Sequence, residues 1–153
     1  MRALFAAIML LTLFGTLPVE AQDKKAASVA DPELAKQLGA DERGMRKYVL
    51  VILKTGPTRV PDGPVRDEMF KGHFANIDRL AGARKLVAAG PFGDKTEWRG
   101  MFIFAVESQE EAAALVATDP VIKNEEMVAE YHTLYASAAM MALNDIHAKI
   151  APK

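Results

Sequence analysis

The spacing of the apolar positions changes along this chain, and each change marks an element. Tyr48 to Leu53 is apolar throughout. A run of that length, closed by Gly56-Pro57, predicts a strand buried on both faces. Pro61, Gly63 and Pro64 then turn the chain. From Arg66 to Ala83 the spacing becomes helical, with Phe70, His73, Ile77 and Leu80 three and four residues apart and Phe74 and Ala81 beside them. Leu86-Val87-Ala88 predicts a short second strand, closed by Gly90-Pro91, and Asp94 to Gly100 a turn-rich connection. Met101 to Val106 is a third strand. Ser108 and Glu111 stand at the spacing of a capping box, in which the serine accepts a first-turn amide and the glutamate reaches back. The helix they open runs through Leu115 and Val116, and Pro120 forbids its continuation. Glu126 to Tyr135 alternates as a fourth strand. Ala139, Leu143, Ile146 and Ile150 then form one stripe, which predicts a last helix. Upstream, Asp31 before Pro32 and a stop at Gly39 predict a short first helix.

The order β-α-β, β-α-β is the ferredoxin-like plan, an α+β fold with an antiparallel sheet and both main helices on one face. The first and third strands are apolar at every position, so the other face also needs a cover. A second copy of the sheet supplies the simplest one. The expectation is a homodimer whose sheets face each other across a partly closed barrel, with the Asp31 and Ala138 helices of the same chain as the alternative cover.

The amino terminus follows a different logic. Met1-Arg2 is basic, Ala3 to Thr16 is apolar and uncharged, Pro18 breaks the run, and Val19-Glu20-Ala21 offers small residues before Gln22. That is the order of a secretory signal, too short to span a bilayer comfortably; an uncleaved anchor is the alternative. Residues 1–21 are therefore assigned as signal peptide, 22–45 as a leader with the short helix, 46–137 as the α+β domain, and 138–153 as a C-terminal helix. The expected location is periplasmic or secreted. The chain has no cysteine, so neither disulfides nor a thiol nucleophile are available, and packing must hold it together. Removing Arg2 and Glu20 leaves the net charge at -1. With no basic stripe to neutralise phosphates, a nucleic-acid partner is not expected.

His73 is the most pointed candidate for chemistry. A stripe of Phe, Ile and Leu aims it at the sheet, and imidazole both takes and gives a proton near neutrality. Such work needs a partner that fixes the ring, and Asp119 at the end of the second helix is the best placed carboxylate. Each has a plainer reading: a core histidine bonded to a backbone carbonyl, and an Asp-Pro turn that ends a helix. His132 on the fourth strand could join His73, Asp119 and Glu130 in a nitrogen and oxygen metal set, but no close helical His pair is present and no metal is expected. His147 is expected at the surface, and Phe92 and Trp98 form a pocket wall or plug the core. Phosphate loops, nucleotide fingerprints and Ser-His-Asp order are all missing, and no cofactor is expected.

These segments together resemble a known family. From about Arg46 to Ser137, YVLVILKTGP, HFANIDRLAGARKLVAAGPFGD, RGMFIFAVES, EEAAALVATDP and AEYHTLYAS are similar to the YCII-related (YciI-like) domain. The resemblance implies a dimeric α+β barrel with an active site around a helix histidine and the aspartate of an Asp-Pro turn, here His73 and Asp119. It implies lyase-like or hydrolase-like activity on small molecules, without naming a substrate. A haem or flavin role rests only on analogy with other dimeric α+β barrels. A non-catalytic module that binds a small ligand or assembles as a dimer is the alternative.

Overall fold

The computed structural model describes residues 30–151. Residues 1–21, assigned from the sequence to a signal peptide, and the first part of the leader, 22–29, lie outside the described residues. The elements run α1 (Pro32–Gln37), β1 (Met45–Thr55), α2 (Pro64–Gly82), β2 (Leu86–Pro91), β3 (Trp98–Phe104), α3 (Gln109–Val116), α4 (Pro120–Lys123), β4 (Met127–Ser137), a 3-10 turn (Ala138–Ala142) and α5 (Leu143–Ile150). The four strands form one antiparallel sheet in the order β2-β3-β1-β4. This is the ferredoxin-like α+β arrangement the sequence predicts.

Alternation in β1 divides the core. Val49, Val51 and Leu53 pack with Phe102 and Phe104 of β3 and with Met69 and Leu80 of α2, on the helix-covered face. Tyr48 packs with Val87, Ile103 and Ala105 on the opposite face, where Met140 and Met141 of the C-terminal segment join them. The chain thus covers part of its own second face. On that face, pairing sets Ile52 opposite Glu130 and Leu50 opposite His132. Glu130 accepts hydrogen bonds from Lys54 (3.1 Å) and from His132 (2.8 Å), a polar cluster beside the apolar patch. No described helix is long and apolar enough to cross a membrane.

Several boundaries differ from the sequence reading, each for a local reason. β2 runs on to Pro91 because that proline sits at the strand's end, where it costs no interior ladder bond. Pro120 does not merely stop α3. That helix ends at Val116, and Pro120 opens α4 as its first-turn residue, with Asp119 as the cap. The capping box is half formed: Ser108 accepts from the Glu111 amide at 3.2 Å, while the Glu111 carboxylate pairs with Lys85 at 2.8 Å. On α2 the deepest residues are Met69, His73, Asn76 and Leu80. Of the expected stripe His73 and Leu80 are buried, while Phe70 and Ile77 are partly buried, packed against the core and bordering a cavity beside the exposed Phe74.

Phe104 is fully buried in the middle of this core, whereas Ile146 stands half exposed on α5. Phe104→Ala is expected to cost about 3–5 kcal/mol of unfolding free energy and Ile146→Ala less than about 0.5, measured by urea denaturation.

Candidate functional site

Asp119 is the hinge of the site. As cap of α4 its Oδ1 accepts from the Val121 amide at 3.1 Å, and its Oδ2 meets His73 Nδ1 at 2.8 Å. The carboxylate has no exposed surface. An ionised carboxylate only accepts, so Nδ1 carries the proton and donates it, leaving Nε2 as the lone-pair nitrogen. Among the described residues Nε2 has no hydrogen-bonded partner, and it is not sealed from solvent.

Two features of the backbone permit this contact. The Asp-Pro turn fixes the aspartate ahead of α4, and Gly72 lets α2 come down onto that turn. A Cβ at Gly72 would lie 2.9 Å from Pro120 Cγ. Around the ring, Phe74 and Phe70 stand edge-on at 5.3 and 5.9 Å between centroids, and Phe102 is stacked at 6.0 Å. These contacts, together with the bond to Asp119, fix the direction of the imidazole.

The ring opens on a cavity of about 510 Å³ between α2 and the β2–β3 end of the sheet. Phe70, Phe74, Phe92 and Phe102 form its aromatic walls, Leu53 and Met127 part of the remainder, and Arg99 lines it as well. Trp98 stands beside the wall, 5.6 Å from Phe92 between ring centroids. Pocket size and apolar lining suit a small molecule.

Behind Met127 lies a group the sequence reading did not single out. Glu126 is 1% exposed and accepts from the Val60 amide (2.8 Å), Arg66 (2.7 Å) and Arg59 (2.9 Å). Burial alone would raise its pKa, but the Val60 amide and the Arg66 and Arg59 guanidiniums outweigh that and hold it below the usual carboxylate value. The sequence reading took it only as the first residue of the fourth strand, which in the structure starts at Met127. Gly72 was likewise missed, although a glycine inside a helix costs about 1 kcal/mol against alanine and so asks for a reason.

The other candidates fall elsewhere. His132 and Glu130 are on the sheet face opposite α2, so they do not converge with His73 and Asp119 into a metal set. No group of His, Asp or Glu fit to hold a metal ion occurs among the described residues. His147 is exposed on α5.

Residues 45–134 match the family model of the YCII-related domain, well over half of the chain. The chain belongs to the YCII-related family. Within reach of this YCII-related chain is the uncharacterized protein YjpA of Bacillus subtilis (strain 168). It is 36% identical over 55 residues, an alignment that covers 36% of this chain and 62% of that relative. Among solved structures, similarity extends to 5-chloro-2-hydroxyhydroquinone dehydrochlorinase (TftG) from Burkholderia phenoliruptrix AC1100, in complex with 2,5-dihydroxybenzoquinone. That likeness has a TM-score of 0.41 at 23% identity and covers 57% of this chain and 89% of the other.

Two outcomes are expected from the site's geometry. Glu126 has a depressed folded pKa, so its stabilisation is fully present above the unfolded value of 4.5 and is lost as pH falls through the folded value. Glu126→Gln should lower stability by about 3 kcal/mol at neutral pH. The gap to wild type should narrow as pH falls below about 4.5 in urea titrations, and a gap that stays constant would contradict the ionised carboxylate. Gly72→Ala should cost about 1–3 kcal/mol despite alanine's helix preference, because the new methyl meets Pro120. A variant as stable as wild type would show that α2 is free to move away.

Proposed function

We propose that this chain is an exported small-molecule enzyme of the YCII-related family, lyase-like or hydrolase-like, that works by proton transfer through His73 and Asp119. The observation that carries this is the 2.8 Å bond between His73 Nδ1 and a fully buried Asp119, with Nε2 turned to an aromatic cavity. In this reading Nε2 takes a proton from a carbon or hydroxyl of the bound molecule. Asp119 holds the ring and steadies the imidazolium that forms. The imidazolium then returns the proton to the leaving group or product. The dyad contributes about 10²–10⁴-fold, and the rest comes from positioning within the cavity. Export is supported by the sequence of residues 1–21. A homodimer through the second sheet face is part of the same proposal, supported by the apolar patch there around Ile103 and Leu134.

The test uses a reaction that needs no knowledge of the leaving group. A panel of small carbon acids is incubated in D₂O with the protein, and C–H signals are followed by proton NMR. Wild type is expected to speed exchange of at least one of them. His73→Ala should lower that rate by about 10²–10⁴-fold with the fold and sedimentation of the protein unchanged, and Asp119→Asn by a comparable factor. Exchange that persists in a folded His73→Ala variant would end the dyad reading. Tight binding with no exchange across the panel would favour the binding module instead.

A further inference from the structure

The cavity beside His73 is aromatic on most sides, yet one permanent charge enters it. Of its lining residues only Arg99 is charged at neutral pH whatever its surroundings, and no carboxylate lines it. A break in strand alternation brings Arg99 there. Leu53 pairs with Gly100 and Lys54 with Trp98, so Arg99 is passed over between them. Regular alternation from Phe102 would set Arg99 on the opposite face; the bulge re-aims it to the side of α2 and Glu126. Gly100 is part of the device, since a Cβ there would lie 2.9 Å from the Gly90 carbonyl oxygen.

Nor is Arg99 accounted for by the ion pairs around it. Its nearest carboxylate is Glu126 at 3.8 Å, beyond hydrogen-bond reach. Glu126 already accepts from Arg66, Arg59 and the Val60 amide at 2.7–2.9 Å. Three guanidiniums thus share that one buried carboxylate. Asp62 offsets part of the excess, but it contacts Arg59 and Arg66 only. Among the described residues the Arg99 side chain has no hydrogen-bonded partner, and it remains about a quarter exposed, at 27%. Glu126 holds the guanidinium by charge and leaves its donor fork unspent.

We propose that Arg99 is the anion anchor of this cavity and that the substrate is a small, flat, aromatic or unsaturated acid bound as its carboxylate. The phenylalanine walls take the apolar body, and the planar guanidinium takes the carboxylate through a two-point contact. This rests on the cavity being the substrate site of the function proposed above, and it adds the chemical class that the site selects. Arg99 also supplies a fixed positive charge where proton removal by His73 leaves negative charge on the substrate.

The anchor is tested by binding, without turnover. The one tryptophan, Trp98, stands against Phe92 of the cavity wall and serves as a fluorescence reporter. Full-length protein is titrated with cinnamate and benzoate, and with their neutral isosteres cinnamide and benzamide. The acids are expected to bind about tenfold or more tighter than the amides. Arg99→Gln should erase that preference, and Arg99→Lys should keep part of it, with urea midpoints confirming that both variants are folded. Amides that bind as well as the acids, a preference that survives Arg99→Gln, or no binding of either acid up to about 10 mM would each overturn the proposal. His73→Ala should still bind cinnamate. Preference for the acids without any proton exchange would therefore remove the catalytic reading and leave the anchor standing.

Discussion

A carboxylate with no exposed surface has to find every partner inside the protein, and Asp119 is such a group. One oxygen caps α4 through the Val121 amide and the other accepts a hydrogen bond from His73 Nδ1. Losing either partner would leave a buried charge half satisfied, a cost larger than the net worth of either bond. The pair therefore ties α2 to the turn before α4, and the same tie fixes the imidazole. Stability and chemistry draw on one contact here. Asn76, one turn after His73, extends the tie by accepting from Thr118 at 3.0 Å and from Arg79 at 2.7 Å.

A second buried carboxylate organises the far side of the cavity. Glu126 gathers the Val60 amide, Arg59 and Arg66, and so holds the loop between β1 and α2 against the start of β4. The Gly56 amide reinforces this by donating to the Glu126 carbonyl at 2.9 Å. The arrangement is more than a brace. A single negative charge set among three guanidiniums leaves positive charge over, and the bulge in β3 directs the least committed of the three at the cavity. One buried acid orients a base, and the other steadies a cation.

The fold was legible because its longest signals are periodic. Tyr48–Leu53 and Met101–Val106 read as strands from their unbroken apolar runs, and α2 from the three- and four-residue spacing around His73. The His73–Asp119 contact was legible for a related reason: two helices on one face of a sheet bring a histidine and a helix-ending aspartate within reach. What escaped were features without local period. The Arg99 bulge depends on how Leu53 and Lys54 pair across the sheet, and nothing in Glu97-Trp98-Arg99-Gly100 records that pairing. Glu126 was read only as the first residue of the fourth strand, because its partners Arg59 and Arg66 lie some sixty residues earlier in the chain. α4 was hidden by the double meaning of proline, which ends one helix and opens another with equal ease.

The second face of the sheet shows how far an argument from apolar runs carries. Continuous hydrophobicity in β1 and β3 demands a cover on both faces, and a second copy of the chain is one way to provide it. Part of the demand is met from within, since Met140 and Met141 pack over the cluster of Tyr48, Val87 and Ile103. Toward the other end of the same face stand Lys54, Glu130 and His132, joined by hydrogen bonds and partly exposed. A partner sheet laid across that end would have to desolvate this cluster, which is costly unless the partner returns hydrogen bonds to it. An interface centred on Ile103 and Leu134 would leave Lys54 and Glu130 open to water, while His132, in the same row as Leu50 and Ile103, would stand at its edge and keep its bond to Glu130. Such an off-centre arrangement would keep α2, His73 and the cavity outside the subunit boundary, because they occupy the opposite face of the sheet.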